Sequence, residues 1–387
     1  MKTNNTVFFE QMGDHFRNNK NCYIWGTGQI GNKLYKILKP LQCVLGFIDS
    51  NPENRNRTID GIPIISPYEK RAENTFVIIA TTNSDYETDI YKIVLMTGGG
   101  EVYTCHHFIR NILPIFALYA YSKVYLWHMP LSITEKCTLR CEKCNHLTVH
   151  NISPEHHSLT AIKADLDVYF ENVDFVISQL VLVGGELFLH PDVFEVVNYI
   201  CDKYNWRYGS LLIVTNGTVA PSEELIRLIK QYKIEVSISD YRNNIPSIRK
   251  KVDDVIRLFE DNGVKPIINT SVEWTDYDIG NAVLPKNCDY EHHFDRCNYP
   301  CRYLVDKKLY FCTTDRMAQK VGILPEDDDS YIDFGNANDT FEWKKRLVMF
   351  DYGFVNEQGY LNACKSCYGG FTISPKKIPV GIQAEKV

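Results

Sequence analysis

The sequence predicts an α/β protein of three parts. Strand and helix signals alternate over residues 20–270, glycine and polar residues recur where the strands end, and cysteines gather at 137–144 and 297–367. Alternation of this kind argues for parallel sheets. At 387 residues the chain has room for two or three domains. A net charge of −6, with 44% hydrophobic and 23% charged residues, fits a globular protein that buries real cores. It argues against disorder and against nucleic-acid coating by bulk positive charge. Thirteen cysteines, an odd number in a long chain, do not read as a disulfide framework. Residues 1–20 carry no continuous apolar segment of signal-peptide type, so a reducing, cytoplasmic setting is expected. Ile112 to Leu131 contains Pro114, Lys123 and His128 and falls short of the ~18 uncharged apolar residues of a membrane span; a buried helix and then a strand are expected there.

In residues 1–125, the apolar run Asn21 to Trp25 leads into Gly26-Thr27-Gly28-Gln29-Ile30-Gly31, and Leu34, Ile37 and Leu38 follow with helical spacing. Val44 to Ile48 is the next strand and ends at Asp49. Strand, glycine turn, helix, strand and acid in that order form the pattern of a Rossmann-like, dinucleotide-binding unit. Glycines allow a tight turn and let phosphate approach helix-terminal N–H groups, while an acid about 20 residues on meets a ribose hydroxyl. Gly26, Gly28, Gly31 and Asp49 are therefore candidate nucleotide-binding residues. Ile62 to Ile65, Phe76 to Ala80, and Val102-Tyr103 after Gly98-Gly99-Gly100 complete a small open parallel sheet. The glycine turn, with FIDSNP at 47–52 and DGIPIIS at 60–66, resembles over residues 20–105 the N-terminal domain of bacterial acyltransferases that act on nucleotide-linked amino sugars. That resemblance implies a nucleotide sugar or other nucleotide near Gly26, Gly28 and Asp49. The alternative is that the glycines only turn the chain from sheet to helix.

Residues 126–285 repeat the alternation. Val124 to Ile133 is strand-like and runs into the first cysteine group. Helices are expected at Leu159–Phe170, Val193–Tyr204, Glu223–Tyr232 and Ile245–Phe259, and strands at Leu180–Val183, Leu211–Val214, Ile234–Ile238 and Pro266–Ile268. The pattern predicts a parallel sheet closed fully or partly, a partial (β/α)6 TIM-like barrel, in which chemistry gathers at the C-terminal strand ends. Those ends carry Cys137, Gly184-Gly185-Glu186, Thr215-Asn216-Gly217 and Ser239-Asp240.

Cys137-x3-Cys141-x2-Cys144 places three thiols within eight residues. Three thiolates on one loop can take three corners of a cubane iron–sulfur cluster and leave one iron open to a small molecule. Zinc is the alternative, with His146 as a possible fourth ligand, although structural zinc sites favour paired C-x2-C or histidine spacings. The spacing and its place after the first barrel strand resemble the radical S-adenosylmethionine superfamily over about residues 126–270. The resemblance implies a [4Fe–4S] cluster on Cys137, Cys141 and Cys144, whose unique iron chelates S-adenosylmethionine. It implies that Gly184, Gly185 and Glu186, matching the family's GGE motif, lie at the methionine moiety, that Ser239 and Asp240 lie near the ribose, and that Asn216 is at another strand exit near the cofactor. It further implies reductive cleavage to a 5′-deoxyadenosyl radical that abstracts a substrate hydrogen, and a low-potential electron donor such as flavodoxin or ferredoxin. Lys143 stands where many members carry an aromatic residue on the adenine, so adenine contacts are expected from another strand, near Ile268.

Residues 286–387 hold Cys288, Cys297-x3-Cys301-x10-Cys312 and Cys364-x2-Cys367. VDKKLYFC at 305–312 reads as part of a β-hairpin, and Asp333-Phe334-Gly335-Asn336 precedes a helix around Trp343 to Met349. The arrangement resembles the SPASM or twitch extension of that superfamily. It implies an auxiliary [4Fe–4S] cluster on Cys301, Cys312, Cys364 and Cys367, with Cys297 spare or an alternative ligand; a four-cysteine zinc site is the rival. Cys22, Cys43, Cys105, Cys201 and Cys288 are read as small buried hydrophobes. The activity expected is that of a radical S-adenosylmethionine oxidoreductase acting on a nucleotide-activated sugar or polysaccharide precursor. A peptide-modifying enzyme and a non-enzymatic zinc-bound scaffold are the alternatives. Neither nucleic acid nor a membrane span is expected.

Overall fold

A computed structural model describes residues 2–81, 84–97, 100–271, 273–297, 301–369 and 376–385. It is a mixed α/β structure with parallel sheets, divided into two compact units, Thr3–Tyr125 and the remainder.

The first unit runs α1 (Lys2–Asn18), β1 (Asn21–Trp25), α2 (Gln29–Leu38), β2 (Val44–Ile48), β3 (Thr58–Ile59), β4 (Ile62–Ile65), β5 (Thr75–Ile79), α3 (Ser84–Met96), β6 (Val102–Thr104), the turn α4 (Cys105–His107) and α5 (Leu113–Tyr121). Its sheet has the order β3-β4-β2-β1-β5-β6. Among the described residues of this sheet only β3 and β4 pair antiparallel; β1 lies parallel between β2 and β5. A central parallel strand is covered on both faces, which is why Cys22, Ile24 and Trp25 are all buried. The chain passes from one side of β1 to the other between β4 and β5, so a topological switch point lies at their C-terminal ends, where Gly26 follows β1. The Phe16 ring of α1 meets Phe76 at 5.5 Å and Phe116 at 5.1 Å in the core. The apolar helix α5 is buried from Leu113 to Ala120. Among the described residues no helix is long and apolar enough to cross a membrane. Gly98 and Gly99 of the expected glycine turn lie outside the described residues.

After β7 (Tyr125–Leu126) come β8 (Met129–Ser132), α6 (Leu159–Asn172), β9 (Phe175–Val183), α7 (Val193–Tyr204), β10 (Tyr208–Thr215), α8 (Glu223–Tyr232), β11 (Glu235–Ser239), α9 (Arg249–Asp261) and β12 (Ile267–Asn269). Then follow β13 (Glu273–Asp276), α10 (Tyr290–Asp295), β14 (Tyr303–Val305), β15 (Lys308–Tyr310), α11 (Thr313–Lys320), β16 (Tyr331–Asp333), α12 (Phe341–Asp351) and β17 (Lys376–Pro379). The main sheet runs β12-β11-β10-β9-β8-β14-β15-β16. It is parallel from β12 to β14, while β15 and β16 return antiparallel. Ser158 and Ser222 cap α6 and α8, each accepting a hydrogen bond from a first-turn N–H. The helix expected from Ile245 begins as a tighter turn at Pro246 and becomes α-helical only at Arg249. Away from the main sheet, β13 pairs antiparallel with β17.

Candidate active site

The loop after β8 brings Cys137, Cys141 and Cys144 to one cavity of about 340 Å³ at the C-terminal ends of the parallel strands. Gly184 and Gly185 beyond β9, Asn216 beyond β10, Ser239 at the end of β11 and Asn269 at the end of β12 complete its wall. The volume is within the range of small-molecule and cofactor sites.

Each sulfur faces hydrogen-bond donors. The Leu139 N–H donates to Cys137 Sγ at 3.4 Å and Asn216 Nδ2 to the same sulfur at 3.6 Å. Gln383 Nε2 donates to Cys141 Sγ at 3.1 Å. Cys144 is met by the backbone N–H groups of His146 and Thr148 and by the Thr148 hydroxyl. Burial pushes the thiols up, Cys137 to about 12 and Cys141 to about 11, with Cys144 raised as well. Buried sulfurs supplied with donors suit an anionic state, and bound metal reverses the burial effect by deprotonating its thiol ligands. Burial also lowers His146, on the same wall, to about 4, which keeps its imidazole neutral.

The glycine pair is explained by the backbone that crosses it. A Cβ at Gly184 would stand 2.6 Å from the Thr134 carbonyl oxygen, and one at Gly185 2.3 Å from that of Lys136. Gly185 N donates to Thr134 O at 2.9 Å and Glu186 N to Lys136 O at 2.8 Å, fixing the approach to Cys137. Glu186 itself is fully buried and is not on the cavity wall. Its Oε1 accepts from Thr215 Oγ1 at 2.6 Å and Phe188 N at 3.2 Å, and its Oε2 from Asn216 N at 2.7 Å. Asn216 Nδ2 in turn donates to Thr138 Oγ1 at 3.1 Å, tying the β10 exit to the cysteine loop. Asp240 is also off the wall: Arg242 Nε and Nη2 donate to its two oxygens at 2.8 and 2.7 Å and hold its carboxyl below the usual carboxylate range.

Lys143 lines the cavity in ion pairs with Asp276 at 3.1 Å and Asp278 at 3.3 Å. Its neighbours include three aromatic side chains, Tyr241, Trp274 and Tyr277. Tyr241 and Trp274 meet edge-on at 5.5 Å. Ile268, near which adenine contacts are expected, is not on the wall, whereas its neighbour Asn269 is. Trp274, Tyr277 and Gln383 carry no motif that would mark them in the sequence.

A second cavity of about 200 Å³ is lined by Cys297, Cys312, Cys364 and Cys367. Cys301, expected in that set, lies on the wall of the first cavity, and Cys297, expected as spare or an alternative ligand, is the fourth cysteine on the second. The Cys301 carbonyl accepts from Thr313 N at 2.8 Å and Thr313 Oγ1 at 2.9 Å, which ties this part of the chain to the start of α11. Arg302, 4% exposed, lines the second cavity and donates through Nη2 to Asp351 O at 2.7 Å. Burial pushes Cys367 up to about 12 and Cys312 and Cys364 upward as well. Among the described residues no three Cys, His, Asp or Glu side chains are gathered closely enough for a single ion.

In the first unit, the Asp49 carboxylate accepts from the Thr27 hydroxyl, from Asn51 N at 2.8 Å and from Asn54 Nδ2 at 3.0 Å. Gly26 has φ +122°, a conformation that favours glycine. A Cβ at Gly31 would stand 2.0 Å from the Gly26 carbonyl oxygen, whereas one at Gly28 would meet nothing within 4 Å. Of the remaining cysteines, Cys22, Cys43, Cys105 and Cys201 are buried and Cys288 is partly exposed.

A sequence relationship to a protein of known name covers part of the chain. The relative is the antilisterial bacteriocin subtilosin biosynthesis protein AlbA of Bacillus subtilis (strain 168), 32% identical over 177 residues, which are 40% of this chain and 37% of that protein. The chain thus matches well under half the length of that relative. Residues 18–100 match the family described as C2185-like, N-terminal. Similar solved structures include BtrN in complex with AdoMet and 2-DOIA, at TM-score 0.44 and 12% identity over 65% of this chain and 96% of that one. Native anSMEcpe with bound AdoMet is similar at TM-score 0.31 and 18% identity, over 36% of this chain and 43% of that one.

Proposed function

We propose that the chain is a radical S-adenosylmethionine enzyme with its first [4Fe–4S] cluster held by Cys137, Cys141 and Cys144. The observation that carries this reading is the convergence of three donor-supplied thiols on one cavity at the C-terminal ends of parallel strands. When bound, the cluster supplies one-electron reductive cleavage of S-adenosylmethionine, with the electron coming from a flavodoxin- or ferredoxin-class donor in the cytoplasm. The chain's own residues bind and orient. Gly184 and Gly185 present bare backbone to the cofactor, Asn216 and Ser239 offer polar groups from successive strand exits, and Tyr241, Trp274 and Tyr277 supply the aromatic surface that Lys143 does not. Glu186 holds the Asn216 turn in place from behind.

Cys297, Cys312, Cys364 and Cys367 are the four ligands of an auxiliary [4Fe–4S] cluster in this reading. A cavity of about 200 Å³ among four thiols has room for more than one ion, which favours a cluster over zinc. The buried Arg302 cation on the same wall offsets the negative charge of the thiolates.

For the substrate, the relationship to a bacteriocin biosynthesis protein favours a peptide. A nucleotide-linked sugar is the second reading, supported by the open space at Gly28 beside the switch point of the first sheet. The test is formation of 5′-deoxyadenosine by the reconstituted protein in the presence of peptides encoded beside its gene or of a panel of nucleotide sugars. Stimulation by a peptide alone supports the first reading; stimulation by a nucleotide sugar alone replaces it with the second.

A further inference from the structure

The segment Val380–Ala384 lies antiparallel to the cysteine loop at a single bridge. Ala384 N donates to Arg140 O, and Glu142 N to Ile382 O, both at 2.8 Å, so that Gln383 stands opposite Cys141. The segment is anchored at its start by the pairing of β17 with β13 and by Asn244 Nδ2, which donates to Val380 O at 2.7 Å. Gly381, with φ +71°, turns the chain between this anchor and the contacts with the cysteine loop at Ile382 to Ala384. The Gln383 side chain is fully engaged. Its Oε1 accepts from Arg140 N at 2.8 Å, and its Nε2 donates to Gly381 O at 2.8 Å and to Cys141 Sγ at 3.1 Å.

We infer that Gln383 is a positioning residue for the cysteine loop, which holds the Cys141 sulfur in place and makes the cluster bound there easier to reduce. The inference rests on the reading of Cys137, Cys141 and Cys144 as cluster ligands. An N–H dipole aimed at a ligand sulfur stabilises negative charge on the cluster. The reduced state carries one more electron, so the hydrogen bond favours it and raises the potential. A residue 242 positions away from Cys141 thereby acts on the cluster without ligating it.

Gln383→Glu separates the two contacts of the side chain. It keeps an acceptor for Arg140 N but removes the N–H donor and sets a carboxylate beside the sulfur. Gln383→Ala removes both contacts. In the anaerobically reconstituted full chain, the first cluster is identified by the paramagnetic resonance signal that changes on adding S-adenosylmethionine. The Glu variant is expected to keep its iron while the midpoint potential of that cluster becomes more negative. The Ala variant is expected to shift in the same direction and to lose iron to a chelator several-fold faster than the unsubstituted chain. Unchanged midpoints and chelation rates in both variants overturn the inference and leave the ligand reading standing. An unsubstituted chain that assembles no S-adenosylmethionine-responsive cluster overturns both.

Discussion

Glu186 is fully buried, and both its carboxylate oxygens accept hydrogen bonds from the strand exits around it. Gln in its place turns one acceptor into a donor facing another donor, which costs about 1–3 kcal/mol. Glu186→Gln is therefore expected to lower the urea midpoint of the protein in the absence of S-adenosylmethionine; an unchanged midpoint would move its role to ligand contact. Gly185→Ala is expected to destabilise by about 1–3 kcal/mol in the same assay. Its Cβ meets the Lys136 carbonyl oxygen, a backbone atom that cannot rotate aside. At this scale the cysteine spacing and the glycine pair are legible in the sequence because their chemistry is local. Gln383 and Trp274 are not, since they reach the site from distant segments. Which cavity wall each of Cys297 and Cys301 joins is not legible either, since spacing does not separate two cysteines four residues apart.

Among the elements, the hairpin β14–β15 depends on a contact from outside itself. Its turn residues Asp306 and Lys307 both take positive φ, 52° and 59°, as the tightest hairpin turns require. Asp165 on α6 accepts from their N–H groups at 3.1 and 2.7 Å. Burial raises Asp165 to about 6, against the pull of those two donors, while the unfolded value is about 3.9. With the folded value the higher, the stability it contributes is present in full below about pH 4 and lost as pH rises through 6. Asp165→Asn is expected to flatten the loss of stability between about pH 4 and 6, measured as urea midpoints. Equal slopes in the two proteins would contradict the assignment. Apolar strands such as β2 and capped helices such as α8 are legible, since burial and capping leave local patterns. The β13–β17 pair is not: Glu273–Asp276 and Lys376–Pro379 show no alternation and come from distant parts of the chain.

At the scale of the whole molecule, both thiol cavities belong to the unit that follows Tyr125, and Cys301 on the first wall is only four residues beyond Cys297 on the second. Because the two groups line different cavities, they should nonetheless be separable by substitution. Replacing Cys364 and Cys367 together with Ser is expected to remove about half of the bound iron while leaving the first cluster able to bind S-adenosylmethionine. Iron analysis and paramagnetic resonance check this, and loss of both clusters would show that they are not independent. The central claim, that Cys137, Cys141 and Cys144 hold a cluster that cleaves S-adenosylmethionine, is tested most directly by replacing all three with Ala in the anaerobically reconstituted full chain. Iron and 5′-deoxyadenosine formed under a strong reductant are then measured. The account predicts about eight irons and cleavage in the unsubstituted protein, and about four irons with cleavage abolished in the variant. Zinc in place of iron, or cleavage that persists without the three thiols, would contradict it.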